Sequence, residues 1–394
     1  MTGDLARVGD WTAYVDALGR ETERRWATAG GAKASFTEIA ATVLEDVPVP
    51  VDLKWATLLE DVVAGVALPP QEDPRAAFGE PPLTLYRGEQ FFVSVLFWLD
   101  GTTTIHQHSF TGAFRVLSGS SLHVPYDFVA GETVCDQLVL GELAARDPEI
   151  LRCGDLRIIE YGDAFIHSLF HLERPSVTVL IRTYSDGAPQ FNYLPPGLAV
   201  DPFIRDNSLV RRFQSLLSLH AIDPTAAFRA ARSFIEDANL WAGFLLLMRW
   251  CERIDRGASL TDLLEIMDRR YGRVTLDLRA ALVSANRASS IVMRRRMLNN
   301  QEQRLFLALL LNLPDLKSIS RVLSQIYPER QSGDVLAEWV TDLARPLYEE
   351  VAGISLSGES LTRLTGALRG GDAEAVRAIA RTMRTPELLS PLFV

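Results

Sequence analysis

Lysine is almost missing from this chain: Lys33, Lys54 and Lys317 are the only three among 40 basic residues. The rest are arginines, a bias of GC-rich coding that carries no mechanism. Cysteine is equally scarce, and Cys135, Cys153 and Cys251 cannot make a disulfide framework. Long apolar runs are absent too. Those around Trp241–Met248 and Leu305–Leu313 fall well short of the ~20 residues a membrane span needs. The opening MTGDLARVGDW lacks the apolar core of a secretion signal. Gly-rich phosphate loops, Cys-x-x-Cys, His-Glu-x-x-His and Gly-x-Ser-x-Gly are all lacking. Basic surface is in deficit, since 50 acidic residues leave a net charge of -10, and phosphate backbones need the opposite sign. The run Arg294–Arg296 is a local exception, read as a solvated helix face. These absences predict a soluble, reduced, cytoplasmic protein with neither nucleic acid nor membrane as partner.

What is present falls into three textures. The 394 residues suggest two or three domains. From Trp11 to about Val66 apolar residues recur at three- and four-residue steps, as in Trp11, Tyr14, Val15 and Leu18. Gly30 and Gly31 break the first helix, and Ser35 with Glu38 reads as a capping box for the next. A Pro-rich stretch over Leu68–Pro82 reads as a linker. Short Val-, Ile-, Phe- and Thr-rich runs then follow, broken by Gly, Asp and Pro. They are Gln90–Leu99, Thr103–His108, Ala113–Leu117, Ser121–Tyr126, Val134–Leu138, Leu156–Tyr161, Ala164–Leu172 and Ser176–Tyr184. Such spacing predicts an all-β sandwich or barrel. After Pro195, Pro196 and Gly197 the pattern is helical to the end, without a repeat of fixed period. The expected domains are therefore 1–82, 83–195 and 196–394.

Histidine, although rare, is concentrated. Five of the six residues (His106, His108, His123, His167 and His171) lie in the β texture, with His220 outside it. His106 and His108 are two apart on a strand, so both imidazoles face one side. Two convergent imidazoles in an apolar β structure begin a metal site, and imidazole suits iron, zinc, copper or nickel. His167, Leu169 and His171 share a face on a later strand, so either histidine offers a third ligand. His123, just past Gly119, is read as structural or at the rim. Arg182 and Tyr184 share a face at the end of the following strand, whereas alternation from Ala113 leaves the face of Arg115 open. Cys135 and Cys153 are read as small buried hydrophobes.

The β segment, roughly Leu83 to Tyr184, resembles the cupin superfamily, and within it the cysteine dioxygenase-like thiol dioxygenases. Gly101, His106, His108 and Gly119 follow the first cupin motif, with Gly101 one residue close to His106 and Gly112 in the Glu slot. Thiol dioxygenases also lack that Glu, and their run before the metal resembles Leu96-Phe97-Trp98 followed by Ile105-His106-Gln107-His108. Gly154, Gly162 and His167 follow the second motif in order, with Glu160 replacing its Pro and His167 displaced by two residues. His171 stands where the family often has Asn. The resemblance implies an α+β chain with a central cupin-like β-barrel, an N-terminal helical arm and a large all-helical C-terminal domain. It implies Fe(II) held by His106, His108 and His167, a placement the tail of the motif favours over His171. Tyr184 resembles the family's catalytic Tyr, Arg182 is a candidate clamp for a substrate carboxylate, and His171 borders the substrate. The cysteine that some relatives cross-link to the Tyr has no counterpart, because its slot falls at Gly112.

The expected function is an Fe(II)-dependent oxygenase that oxidises a small polar substrate, a thiol or amino-acid derivative, with O2. Neutral imidazoles leave the ion its full charge, which favours an anionic substrate donor. Use of 2-oxoglutarate is not expected, since His108 stands in the acidic slot of that pattern. A second hypothesis is a non-catalytic metal- or ligand-binding cupin whose helical domain engages a protein partner. The helical domain is a candidate surface for a homodimer or such a partner. A third, a redox-neutral isomerase or lyase on zinc, nickel or manganese, is disfavoured because those cupins usually keep the Glu.

Overall fold

A computed structural model describes residues 10–72, 78–99, 104–254, 257–298, 300–345, 356, 358–382 and 387–394. Gly101 and Thr103, together with residues 73–77 of the Pro-rich stretch, lie outside the described residues.

Among the described residues three helices come first: α1 (Asp10–Thr28), α2 (Lys33–Asp46) and α3 (Trp55–Val63). The capping box expected at Ser35 does not form. Helix α2 starts at Lys33 behind an extended Ala32, so Ser35 lies inside the first turn and its hydroxyl donates back to the Ala32 carbonyl at 2.8 Å. The strands of the described residues follow: β1 (Pro82–Arg87), β2 (Phe91–Trp98), β3 (His106–His108), β4 (Gly112–Ser118), β5 (Ser120–Cys135), β6 (Leu138–Ala145), β7 (Glu149–Arg152), β8 (Leu156–Ile159), β9 (Gly162–His171), β10 (Ser176–Thr183), β11 (Asn192–Leu194) and β12 (Leu198–Val200). They form two sheets, in orders β1-β2-β10-β4-β8 and β6-β12-β11-β3-β9-β5-β7, and make a β-barrel, so the α+β class with a central barrel holds.

Period-two alternation explains the first sheet. Strand β2 is buried along its whole length because both of its faces are covered. Its odd residues Phe91, Val93, Val95 and Phe97 join Val177, Val179 and Ile181 of β10 and Ala113 of β4 under the N-terminal helices, against Phe36, Leu44 and Leu18. Its even residues Leu96 and Trp98 join Phe114, Val116 and Leu180 on the other face, with Leu169 and Phe110. Arg115 belongs to the helix-covered face, where its guanidinium donates to the Leu44 carbonyl at 2.7 Å. Arg182 has the parity of Leu180 and belongs to the opposite face.

The chain divides into two compact units. One comprises Met1–Thr103, Gln107–His123 and Glu149–Ala188; the other comprises Thr104–His106, Val124–Pro148 and Pro189–Val394. In the second unit, helices α4 (Asn207–Ile222), α5 (Pro224–Asp237), α6 (Leu240–Arg253), α7 (Ala258–Tyr271) and α8 (Val274–Met297) are followed by α9 (Gln301–Asn312), α10 (Leu316–Ile326), α11 (Ser332–Leu343), α12 (Gly358–Arg369) and α13 (Ala373–Thr382). A short 3-10 segment, Glu387–Phe393, follows them. The helices begin where short polar side chains stop the preceding backbone. Asp206, Asp223, Asn239, Asn300 and Asp315 each accept a backbone N–H of the first turn. Within this unit Leu138, Leu140, Leu198 and Val200 of the short strands pack with Phe244, Leu247 and Trp250 of α6.

Two side-chain expectations are corrected. Arg295 is buried rather than solvated, because three consecutive residues on a helix span most of its circumference and Arg295 shares the inner face with Ile291. Cys153 is exposed and Cys135 half-buried; of the three thiols only Cys251 is buried. Among the described residues, no helix is long and apolar enough to cross a membrane.

Candidate metal centre

Strand β3 is only His106-Gln107-His108, and both imidazoles are buried. His167 reaches the same place from β9, whose residues are buried from Ile166 onward. One ring nitrogen from each of His106, His108 and His167 lies within 4.8 Å of the others, and the three could hold a metal ion. His171 is not in that group. It lies at the end of β9, its ring flat against Trp98 at a centroid distance of 4.2 Å. Its Nδ1 is hydrogen-bonded to the Ser121 hydroxyl at 2.9 Å, and Trp98 Nε1–H donates to Thr178 at 3.1 Å.

A hydrogen bond fixes which nitrogen His106 can offer. His106 Nδ1 sits 2.8 Å from the Thr104 carbonyl, which only accepts, so Nδ1 carries the proton and Nε2 the lone pair. His108 Nε2 and His167 Nε2 face each other at 3.0 Å, about the span of two nitrogens bound at right angles to one ion with bonds of about 2.1 Å. Three neutral imidazoles with no carboxylate among them suit a borderline or soft divalent metal and exclude a calcium- or magnesium-type oxygen cage. The donor set fits a transition metal.

The walls are aromatic. Phe110 lies 4.7 Å from the His108 ring, and Phe165 lies 4.4 Å from that of His167. Such walls exclude water and hold the rings in place by packing. Arg182 stacks on Phe110 at 4.0 Å and on Phe92 at 4.7 Å, so Phe110 touches both the guanidinium and a histidine of the group. Tyr184 sits farther along: its hydroxyl donates to the Gly88 carbonyl at 3.2 Å and its ring lies 5.2 Å from Phe92.

Gly112, in the position of the missing carboxylate, has a steric reason to be glycine. A Cβ there would lie 2.1 Å from the Ile181 carbonyl oxygen and 2.9 Å from Arg182 Cα. Backbone of β10 occupies the space a Glu side chain would leave by.

His123 was missed as a neighbour of this site. It is buried rather than at the rim, and its Nε2 lies 3.1 Å from His167 Nδ1. Its other nitrogen meets Glu149 Oε1 at 2.8 Å. Glu149 also accepts from Arg157 through Nε at 2.9 Å and through Nη2. The hydrogen bond from His123, and then that from Arg157, holds the Glu149 carboxyl down at about 2. The parity of Ser121 and His123, shared on β5, was the available signal; the partner strand was not.

No protein-family model matches the chain, and no curated protein does. Among solved structures it is similar to a cupin-2 domain protein from Shewanella frigidimarina, at 12% identity over 27% of this chain and 82% of that one, TM-score 0.18. It is similar to hydroquinone 1,2-dioxygenase from a Sphingomonas species, at 13% identity over 29% of this chain and 71% of that one, TM-score 0.21. A DMSP lyase from Ruegeria pomeroyi is similar at 13% identity over 44% of this chain and 95% of that one, TM-score 0.24. What the chain does is therefore read from its own residues.

Proposed function

We propose that this chain is an Fe(II)-dependent oxygenase of the cysteine dioxygenase-like kind, acting on a small anionic thiol or amino-acid derivative. The observation that carries the reading is the buried group His106, His108 and His167, with no carboxylate among its donors. Iron held there would supply the activation of O2, a reaction that closed-shell side chains cannot perform alone.

The protein's own residues would do the rest. His106 and His167 present Nε2 lone pairs because their Nδ1 atoms are engaged elsewhere. With no carboxylate among the donors of the described residues, the site would keep a positive field, which attracts a thiolate or carboxylate. Arg182, laid over Phe110 and Phe92, would take the substrate carboxylate in its planar fork. His171, steadied by Trp98 and Ser121, would border the substrate. The Tyr184 hydroxyl, now donating to Gly88, would exchange that carbonyl for the substrate. Phe110 and Phe165 would keep bulk water out.

The test is metal analysis of the protein as purified, beside His106→Ala, followed by O2 uptake with small thiols and amino acids. Near-stoichiometric iron that is lost in the variant, with O2 uptake on one substrate class, is expected. Failure to hold iron even after anaerobic reconstitution would end the oxygenase reading. Iron without O2 uptake on any candidate would make the barrel a binding module.

A further inference from the structure

Glu149, His123 and His167 form one hydrogen-bonded line that runs from a half-exposed carboxylate into the metal centre. Strand pairing builds it. His123 of β5 lies directly opposite Glu149 of β7 in the antiparallel register, so backbone holds the two side chains together. Arg157 of β8 grips both oxygens of Glu149 and fixes the plane of its carboxylate. The His123 ring is buried beside Phe165, at 6.0 Å between centroids.

The proton logic follows from the partners. An ionised carboxylate can only accept, so His123 must donate through Nδ1–H across the 2.8 Å contact. In the neutral ring Nε2 is then an acceptor, and it lies 3.1 Å from His167 Nδ1. His167 must therefore carry its proton on Nδ1, which leaves Nε2 bare on the side that faces His108. We propose that Glu149 and His123 are positioning residues that hold His167 in the tautomer able to bind metal through Nε2. This rests on the metal-centre reading above. In His106 the same role is taken by the Thr104 backbone carbonyl, which faces Nδ1 at 2.8 Å. His167 depends on side chains that substitution can remove. Partners of this kind orient metal-bound histidines and raise their basicity, and their loss weakens metal binding roughly 10- to 100-fold.

The experiment uses the full-length chain with Co(II) as probe. His123→Phe keeps a ring of similar size and removes the acceptor; His123→Gln retains an oxygen that can accept from His167. Co(II) affinity would be measured by chelator competition, with circular dichroism as the check on folding. Long-range proton–nitrogen NMR of the metal-free protein reads the tautomer without any metal. The expected result is an Nδ1–H tautomer for His167 in the wild type. Co(II) binding should fall about 10- to 100-fold in His123→Phe and recover in part in His123→Gln. Unchanged affinity in His123→Phe, or an Nε2–H tautomer in the metal-free wild type, overturns the proposal. Should His123→Phe not fold, Glu149→Leu carries the same expectation and the same overturning result. If neither the wild type nor His106→Ala binds Co(II), the metal-centre reading fails; the tautomer spectrum then decides the relay by itself.

Discussion

Single residues around the centre act through the acceptors and donors they face. Glu149 carries the clearest electrostatic signature. Its carboxyl is held at about 2, from an ordinary value of 4.5, by the hydrogen bond from His123 and then by Arg157. A carboxyl whose folded value is depressed favours the folded state above its unfolded value and loses that contribution as pH falls through the folded one. Glu149 should thus support folding fully above about pH 4.5 and progressively less down to about pH 2. Urea unfolding of the wild type and Glu149→Gln checks this. The stability gap between them should be constant above about pH 5.5 and close in acid, roughly one unit above the ordinary carboxyl value. A gap that stays constant down to pH 2 would contradict the assignment. His123 shows why this residue scale was hard to read from sequence. A lone histidine on a strand gives no sign of whether the strand opposite carries a carboxylate or an apolar residue.

At the scale of elements, the pairing of β4 with β10 sets what the site can contain. Gly112 faces Arg182 in that register, and a Cβ at Gly112 would run into the Ile181 carbonyl. Gly112→Ala should therefore destabilise the protein by about 1–3 kcal/mol, the usual range for forcing volume into packed structure. Gly112→Glu should do worse and add no carboxylate to the metal group. Thermal melts of the two variants with and without Co(II) would measure this. A Gly112→Glu protein as stable as the wild type, with tighter Co(II) binding, would refute the steric account. Elements with strong local signals were legible in the sequence: the runs at β2, β4, β9 and β10, and the helical texture after Pro196. The short strands β7, β11 and β12 were not. They have four, three and three residues, too few for a period-two pattern to stand out.

For the whole molecule, the N-terminal helices are part of the core of the unit that contains the first sheet. Phe36 of α2 is fully buried, 4.6 Å from Trp26 and 5.8 Å from Phe91 of β2. Phe36→Ala should cost about 3–5 kcal/mol, because it removes the ring and leaves a cavity between helix and sheet. Denaturant unfolding gives the value directly. A loss below about 1 kcal/mol, the size of a typical surface substitution or a little more, would mean that the helices contribute little to this core.

The amino-acid sequence by itself determined the α+β class, the β texture between two helical regions, and the pairing of His106 with His108 on one face. These follow from periodicity and capping, which act between residues a few positions apart. Tertiary structure brings ring nitrogens of His167, the histidine the motif's tail favoured, within 4.8 Å of those of His106 and His108. It also decided that Arg115 faces the helices and that Glu149 meets His123. His108 and His167 are 59 positions apart, His123 and His167 are 44 apart, and His123 and Glu149 are 26 apart. Contacts at such separations depend on which strands pair and in what register, and that is settled by burying the apolar faces of the whole barrel at once.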